Sequence, residues 1–294
     1  MECKKQKNGT QRSCGSLLMP LLAALLFLTG VGIFLYPSIS NYFAEREHTS
    51  VIHEYQAQID AVDSTDLEAE LEKAETYNES LAGDPVRDPF IPGSGYALPE
   101  NYEEVLNVNG DGVMGYLEIP KIGVLLPIYH GTSDDVLEKG VGHIESTALP
   151  IGGSSRHAVL TGHRGLPSAE LFTRLDELEI GDIFYIHVLG ETLAYEVDQI
   201  KTVLPTELDD LQAVSGEDLV TLLTCTPYGV NTQRLLVRGC RTDYVQETEG
   251  TEATQEQSSG FRLQLSIAGV VIGAVLLAVI LLFLKCRKRG RHER

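Results

Sequence analysis

The sequence predicts a mainly β domain of roughly 130 residues, a barrel or a sandwich, held between two apolar helices. Three observations predict it. Residues 113–244 break into short β-rich runs punctuated by Pro and Gly, from "VMGYLEIPKIGVLLPIYHG" through "DIFYIHVLGETLAYEVDQIKTVLP" to "QRLLVRGCRTDY". Two uncharged apolar runs, 17–35 and 263–284, are each long enough to cross a bilayer as a helix. The charges are sorted around them. Residues 1–16 carry Lys4, Lys5, Lys7 and Arg12 against Glu2, and residues 285–294 carry six Lys/Arg against Glu293. By the positive-inside rule both termini are cytoplasmic and the middle of the chain faces outward.

Each segment has its own reason. A cytoplasmic tail, 1–16, leads into a first membrane helix, 17–37. Its apolar run exceeds the core of a signal peptide and no A-x-A-like cleavage site follows, so it reads as a retained anchor. Residues 38–82 read as two membrane-proximal helices. Ile52, Tyr55, Ile59 and Val62 share one helical face. Thr65 and Glu68 form a capping box ahead of the stripe Leu67, Leu71, Ala74 and Leu81, and Gly83 suits the stop. Residues 83–112 are rich in Pro, Gly and Asn and read as a lid or linker. The β domain, 113–244, contains a hairpin turn at "GETL" and one helical signal at 168–178, with Ser168 as N-cap. An acidic linker, 245–262, leads to the second membrane helix, 263–284, and a basic cytoplasmic tail, 285–294.

The net charge of −19 is unevenly spread: between the two tails 13 basic residues face 40 acidic ones. Nucleic acid is excluded as a partner, because phosphate binding needs a basic footprint. The acids serve mainly solubility. They make no calcium loop: "NVNGDG" is too short and lacks the closing Glu, so no metal is expected. Of five cysteines, Cys3, Cys14 and Cys286 lie in or beside the tails, and only Cys225 and Cys240 lie outside. Two thiols make no disulfide framework.

Cys225 follows the apolar run "LVTLL" and precedes the loop "TPYGVNT", so its thiol sits at a strand end. From spacing alone a packing cysteine and a nucleophile fit equally. A nucleophile needs a base and a group to hold developing negative charge. Of eight histidines, His163 stands out: "VLTGHRG" leaves an apolar strand through Gly162 and returns through Gly165. His130, His143, His157 and His187 read as structural. Arg234 opens the strand after the Cys225 loop, so an antiparallel return brings it beside Cys225.

"TLLTC", Arg234 nine residues on and an upstream "TGHRG" together resemble the signature of sortases, transpeptidases of the outer face of Gram-positive bacteria. "TLLTCTPYGVNTQRLLVRG" and "HRGLPSAELFTRLDEL" are similar to class C sortases, which polymerise pilins. The resemblance implies a closed eight-stranded sortase-type β-barrel and a membrane-anchored enzyme with no cofactor. It implies Cys225 as nucleophile, His163 as general acid/base and Arg234 as stabiliser of the oxyanion, with Thr221, Leu222 and Thr224 as motif residues of the substrate groove. It also implies a lid at "DPF", in which Asp88 pairs with Arg234 and Phe90, after Pro89, covers Cys225. The implied partners are pilins or surface proteins with an L-P-x-T-G-like sorting signal, and a pilin lysine as acceptor. Two departures stand: Gln233 replaces a histidine common before the arginine, and Cys240 is unusual in its strand, where a reduced core thiol is expected. The competing readings are a cell-wall-anchoring sortase and a non-catalytic pilus assembly factor.

Overall fold

The computed structural model describes residues 15–81, 90 and 101–244. The second apolar run, both charged tails, Asp88 and Pro89 lie outside these residues. The chain divides after Pro37 into two compact units. Helix α1 runs Gly15–Ala61, so the expected change of element at residue 38 is absent. Among the described residues this is the one helix long and apolar enough to cross a membrane.

From Ser38 onward, α1 belongs to the second unit and serves the barrel. Its expected face is the buried one: Ile52, Tyr55 and Ile59 are all inside. The Tyr55 hydroxyl accepts from Leu189 N at 2.9 Å and donates to Met114 O at 3.1 Å, so one phenol satisfies two buried backbone groups. Helix α2 follows at Ser64–Ser80. It differs from expectation in two ways. Asp63 precedes it in extended backbone with no capping side-chain bond, so the Thr65–Glu68 box is not formed. Of the expected stripe, Ala74 is buried and Leu67 and Leu81 pack partly buried against the core, but Leu71 is exposed and Tyr77 and Asn78 join the buried face. The helix turns this way because its polar groups have inside partners. Asn78 exchanges hydrogen bonds with Leu149, and Tyr77 donates to Glu145 O.

Eight strands close into a barrel in the order β1-β2-β3-β4-β7-β8-β6-β5. They are β1 (Val113–Ile119), β2 (Val124–His130), β3 (Val141–His143), β4 (Arg156–Thr161), β5 (Ile183–Val188), β6 (Glu191–Val203), β7 (Asp218–Thr226) and β8 (Gln233–Thr242). Closure removes the open sheet edges that would otherwise invite pairing. Two neighbouring pairs are parallel, β2–β3 and β4–β7; the rest are antiparallel. The β5–β6 turn falls at Leu189–Gly190, one residue before "GETL", with φ of 48° and 84°. Positive φ at both positions is what a two-residue hairpin turn requires.

Alternation along the strands creates two apolar clusters. Ala158 and Leu160 of β4, Val220 and Leu222 of β7, and Leu235 and Val237 of β8 belong to the main core. Val159, Leu223 and Leu236 point the other way, into a smaller cluster with Ile144, Val203 and Leu211. Phe90 and Leu208 pack against this second cluster.

The helix expected over 168–178 is not there. Its apolar residues Ala169, Leu171, Phe172, Leu175 and Leu178 are buried, but they lie in turns with one short 3-10 turn at Leu175–Glu177. Leu171 has φ of 41°, a left-handed conformation that interrupts any helix. The segment follows the barrel surface instead, with the Phe172 ring against Gly162, where a Cβ would meet it at 3.0 Å.

Candidate active site

Strand β7 carries its thiol one residue from the end. Within the β7–β8 ladder Cys225 stands directly opposite Arg234. The thiol is 8% exposed and the arginine 4%. A short loop joins the two strands, with Val230 N and Asn231 N both donating to Pro227 O at 3.0 Å. The guanidinium Nη1 of Arg234 donates to the carbonyls of Asn231 and Gln233, which orients its fork at the strand end. Cys225, Leu223, Arg234 and Leu236 share the face of the second apolar cluster.

His163 arrives from β4, which runs parallel to β7 with Thr161 level with Leu223. His163 lies two residues past Thr161, as Cys225 lies two past Leu223. The backbone here is pinned. Gly162 N donates to Leu223 O, the Thr224 hydroxyl donates to Gly162 O at 2.7 Å, and Phe172 N donates to His163 O at 3.1 Å. Gly165 takes φ of 82°, and the Tyr228 ring packs where its side chain would be. The two glycines therefore do not simply leave the imidazole open; they admit a ring each.

Phe90 ties the cluster together. Its ring lies 5.9 Å from the His163 ring, and Arg234 Cζ sits over it at 5.0 Å from the centroid. A desolvated guanidinium–ring contact stabilises by up to about 2 kcal/mol. Burial holds the His163 imidazole below its ordinary pKa range, opposed by the negative charges of Asp134 and Glu138. The imidazole is therefore neutral at pH 7 in this arrangement. Among the described residues no group of His, Cys, Asp and Glu is arranged to hold a metal.

The structure thus brings together Cys225, Arg234, His163 and Phe90. Thr221, Leu222 and Thr224 are almost wholly buried. Thr221 holds His157 Nε2 at 2.8 Å, Leu222 fills the core, and Thr224 fixes Gly162. No signal in the sequence marked Thr224 as the residue that positions the turn before His163.

The remaining barrel histidines are structural. His143 Nε2 donates to Ala148 O, leaving Nδ1 to accept from the Tyr102 hydroxyl at 3.0 Å. Fully buried, its pKa is lowered to about 4. His157 bridges Thr221 and Gln212 O, His130 the carbonyls of Gly112 and Val105, and His187 Glu118 and Thr192. Cys240 is a free thiol but not a core one. It is partly exposed beside Glu217 and pairs with Leu219, six residues along β7 from Cys225. That is about 20 Å along the strand, beyond the reach of a disulfide.

Known proteins resemble this chain in sequence and in fold. The sortase domain family model matches residues 117–242. Sortase C-1 of Streptococcus pneumoniae superposes with a TM-score of 0.63 at 45% identity, covering 67% of this chain and 100% of that one. Sortase C1 of Streptococcus agalactiae gives 0.61 at 46%, covering 67% and 96%. Among curated relatives, sortase D of Bacillus subtilis is 35% identical over 130 residues, which span 43% of this chain and 63% of that protein. Sortase A of Staphylococcus aureus is 24% identical over 218 residues, 73% of this chain and 89% of that protein.

Proposed function

Because the chain belongs to the sortase family of cysteine transpeptidases, we propose that it is a pilin polymerase of class C. The observation that carries the reading is the rung Cys225–Arg234, with His163 joined to it across the Phe90 ring. The substrate is the C-terminal sorting signal of a pilin or surface protein, of the Leu-Pro-x-Thr-Gly type. A solved Streptococcus pneumoniae sortase C, 45% identical, is described in terms of pilin substrate specificity, which supports this class.

The reaction is acyl transfer in two halves. Cys225 passes its thiol proton to His163, and the thiolate attacks the Thr–Gly carbonyl carbon, whose oxygen takes up the negative charge. Arg234 donates hydrogen bonds to that oxygen. The tetrahedral species collapses to a thioester while the glycine amine leaves with a proton from His163. A lysine amine of the next pilin then attacks the thioester carbonyl and passes a proton to His163. The products are an isopeptide bond and the regenerated thiolate. Asp88, Pro89 and Phe90 act as a lid, in which Asp88 pairs with Arg234 and Phe90 covers the thiol. The apolar helix anchors the enzyme in the cell membrane, a second helix at 263–284 anchors its other end, and the barrel works on the extracellular face.

The test mixes the full chain with a peptide bearing a Leu-Pro-x-Thr-Gly signal and looks for a thioester on Cys225 by mass spectrometry. Pilin lysine and wall-precursor amine are then offered in competition. A thioester that partitions to the pilin lysine is expected. No thioester, even with Phe90→Ala, overturns the enzyme assignment for these residues. Partition to the wall-precursor amine overturns the pilin assignment alone.

A further inference from the structure

The regular β4–β7 ladder stops at Thr161 and Leu223, yet the imidazole and the thiol lie two residues beyond it. Between ladder and site stands Gly162, the least restrained residue type. β7 stays paired to β8 as far as Thr226, so it is the end of β4 that must be fixed against β7. Two side chains cross between them beyond the last rung. One is Thr224, which donates to Gly162 O. The other is Arg164, the residue after His163, whose Nη1 donates at 3.2 Å to the hydroxyl of Thr226, the residue after Cys225.

We propose that Arg164 is a positioning residue for the reaction: its guanidinium ties the ends of β4 and β7 together behind the site and so sets the separation of His163 from Cys225. Neighbouring residues of extended chain point to opposite faces, so Thr226 faces away from Cys225, and Arg164 acts through the backbone. The fork is held from its other side. Nη2 meets Asp176 Oδ2 at 2.5 Å, and Asp176 sits in the short turn anchored by buried Leu175. That turn is fastened back to the site through Phe172 N and His163 O. The Arg164 side chain is only 9% exposed, and its Nε is buried with no partner among the described residues. A buried donor left unsatisfied is unfavourable, so plain packing does not account for an arginine here. A planar fork that reaches two fixed acceptors at once does, and lysine cannot reproduce it.

The inference rests on reading Cys225 and His163 as the reacting pair, and its test separates the two. In the full chain, Arg164→Gln, Arg164→Lys, Thr226→Val and Thr226→Ser are compared with wild type. Carbamidomethylation of Cys225 by iodoacetamide is followed against pH, alongside kcat and KM with the sorting peptide. Arg164→Gln, Arg164→Lys and Thr226→Val should lower kcat roughly 10- to 100-fold with KM moved less than about threefold, since a misplaced pair loses rate rather than binding. Each should also shift the alkylation pH profile in the same direction. Thr226→Ser keeps the hydroxyl and should restore both. Because one contact is broken, Arg164→Gln with Thr226→Val should lose no more than either alone. Additive losses, or an unshifted alkylation profile in the Arg164 and Thr226→Val variants, overturn the proposal. If Arg164→Gln does not fold, Thr226→Val and its serine rescue decide it alone. If wild type forms no thioester, the functional reading fails, while the alkylation profiles still decide on Arg164.

Discussion

Phe90 lies against both His163 and Arg234, so one ring controls what these two groups meet. Burial is the main cause of the lowered His163 pKa, and removing the ring lets water back to the imidazole. In Phe90→Ala the imidazole pKa, followed by NMR titration, should rise towards the ordinary histidine range. Alkylation of Cys225 should quicken in Phe90→Ala and in Asp88→Ala, and unchanged rates in both would sink the lid. Arg234→Lys keeps the charge but loses the planar fork. Thioester formation should fall roughly 10²- to 10³-fold, the cost typical of a lost oxyanion donor. The residues differed in legibility for a physical reason. Cys225 and Arg234 flank one short connection, so an antiparallel return places them together by local counting. His163 reaches the site through a parallel pairing across 62 residues, and no spacing encodes that. The glycines around it marked it as a candidate, and the family resemblance supplied its role. Arg164 and Thr226 had no such pattern to announce them.

At the scale of elements, periodicity served where packing and local preference agree. The Ile52–Tyr55–Ile59 face of α1 was readable because one helical stripe meets one surface. The stretch 168–178 was not, because its apolar residues are buried by contacts made in turns, and the left-handed Leu171 overrides helix propensity. In α2 the stripe of Leu67, Ala74 and Leu81 was readable, whereas Tyr77 and Asn78, held inside by hydrogen bonds, leave no hydrophobic period to read. Helix α1 has its own exacting contact. Tyr55→Phe keeps the ring but strips Leu189 N and Met114 O of their shared partner. Unsatisfied buried backbone groups cost about 1–3 kcal/mol, so urea unfolding should show a loss of that order with an unchanged m-value. A midpoint equal to wild type would mean that α1 contributes to the barrel by apolar contact alone.

For the whole molecule, buried histidines set the response to acid. His143, lowered to about 4, and His157, lowered by burial, are held neutral by the fold. Unfolded, both take a proton near pH 6.5. Between pH 6.5 and about 4 the unfolded chain therefore binds protons that the native chain refuses, and stability falls as pH falls through that window. For His143 the loss is on the order of 3 kcal/mol. His143→Gln should be less stable at pH 7, having lost its bonds to Tyr102 and Ala148, but should lose less between pH 7 and pH 5 than wild type. Equal slopes in urea titrations at the two pH values would show that other groups govern acid unfolding.

The parallel seam between β4 and β7 also has a temporal consequence. Its partners are far apart in the chain, with β5 and β6 lying between β4 and β7 in sequence. Such distant pairings are the slow part of assembly. A chain in which β7 has not yet docked on β4 therefore carries its thiol without the imidazole beside it. The candidate site is completed only when the barrel closes.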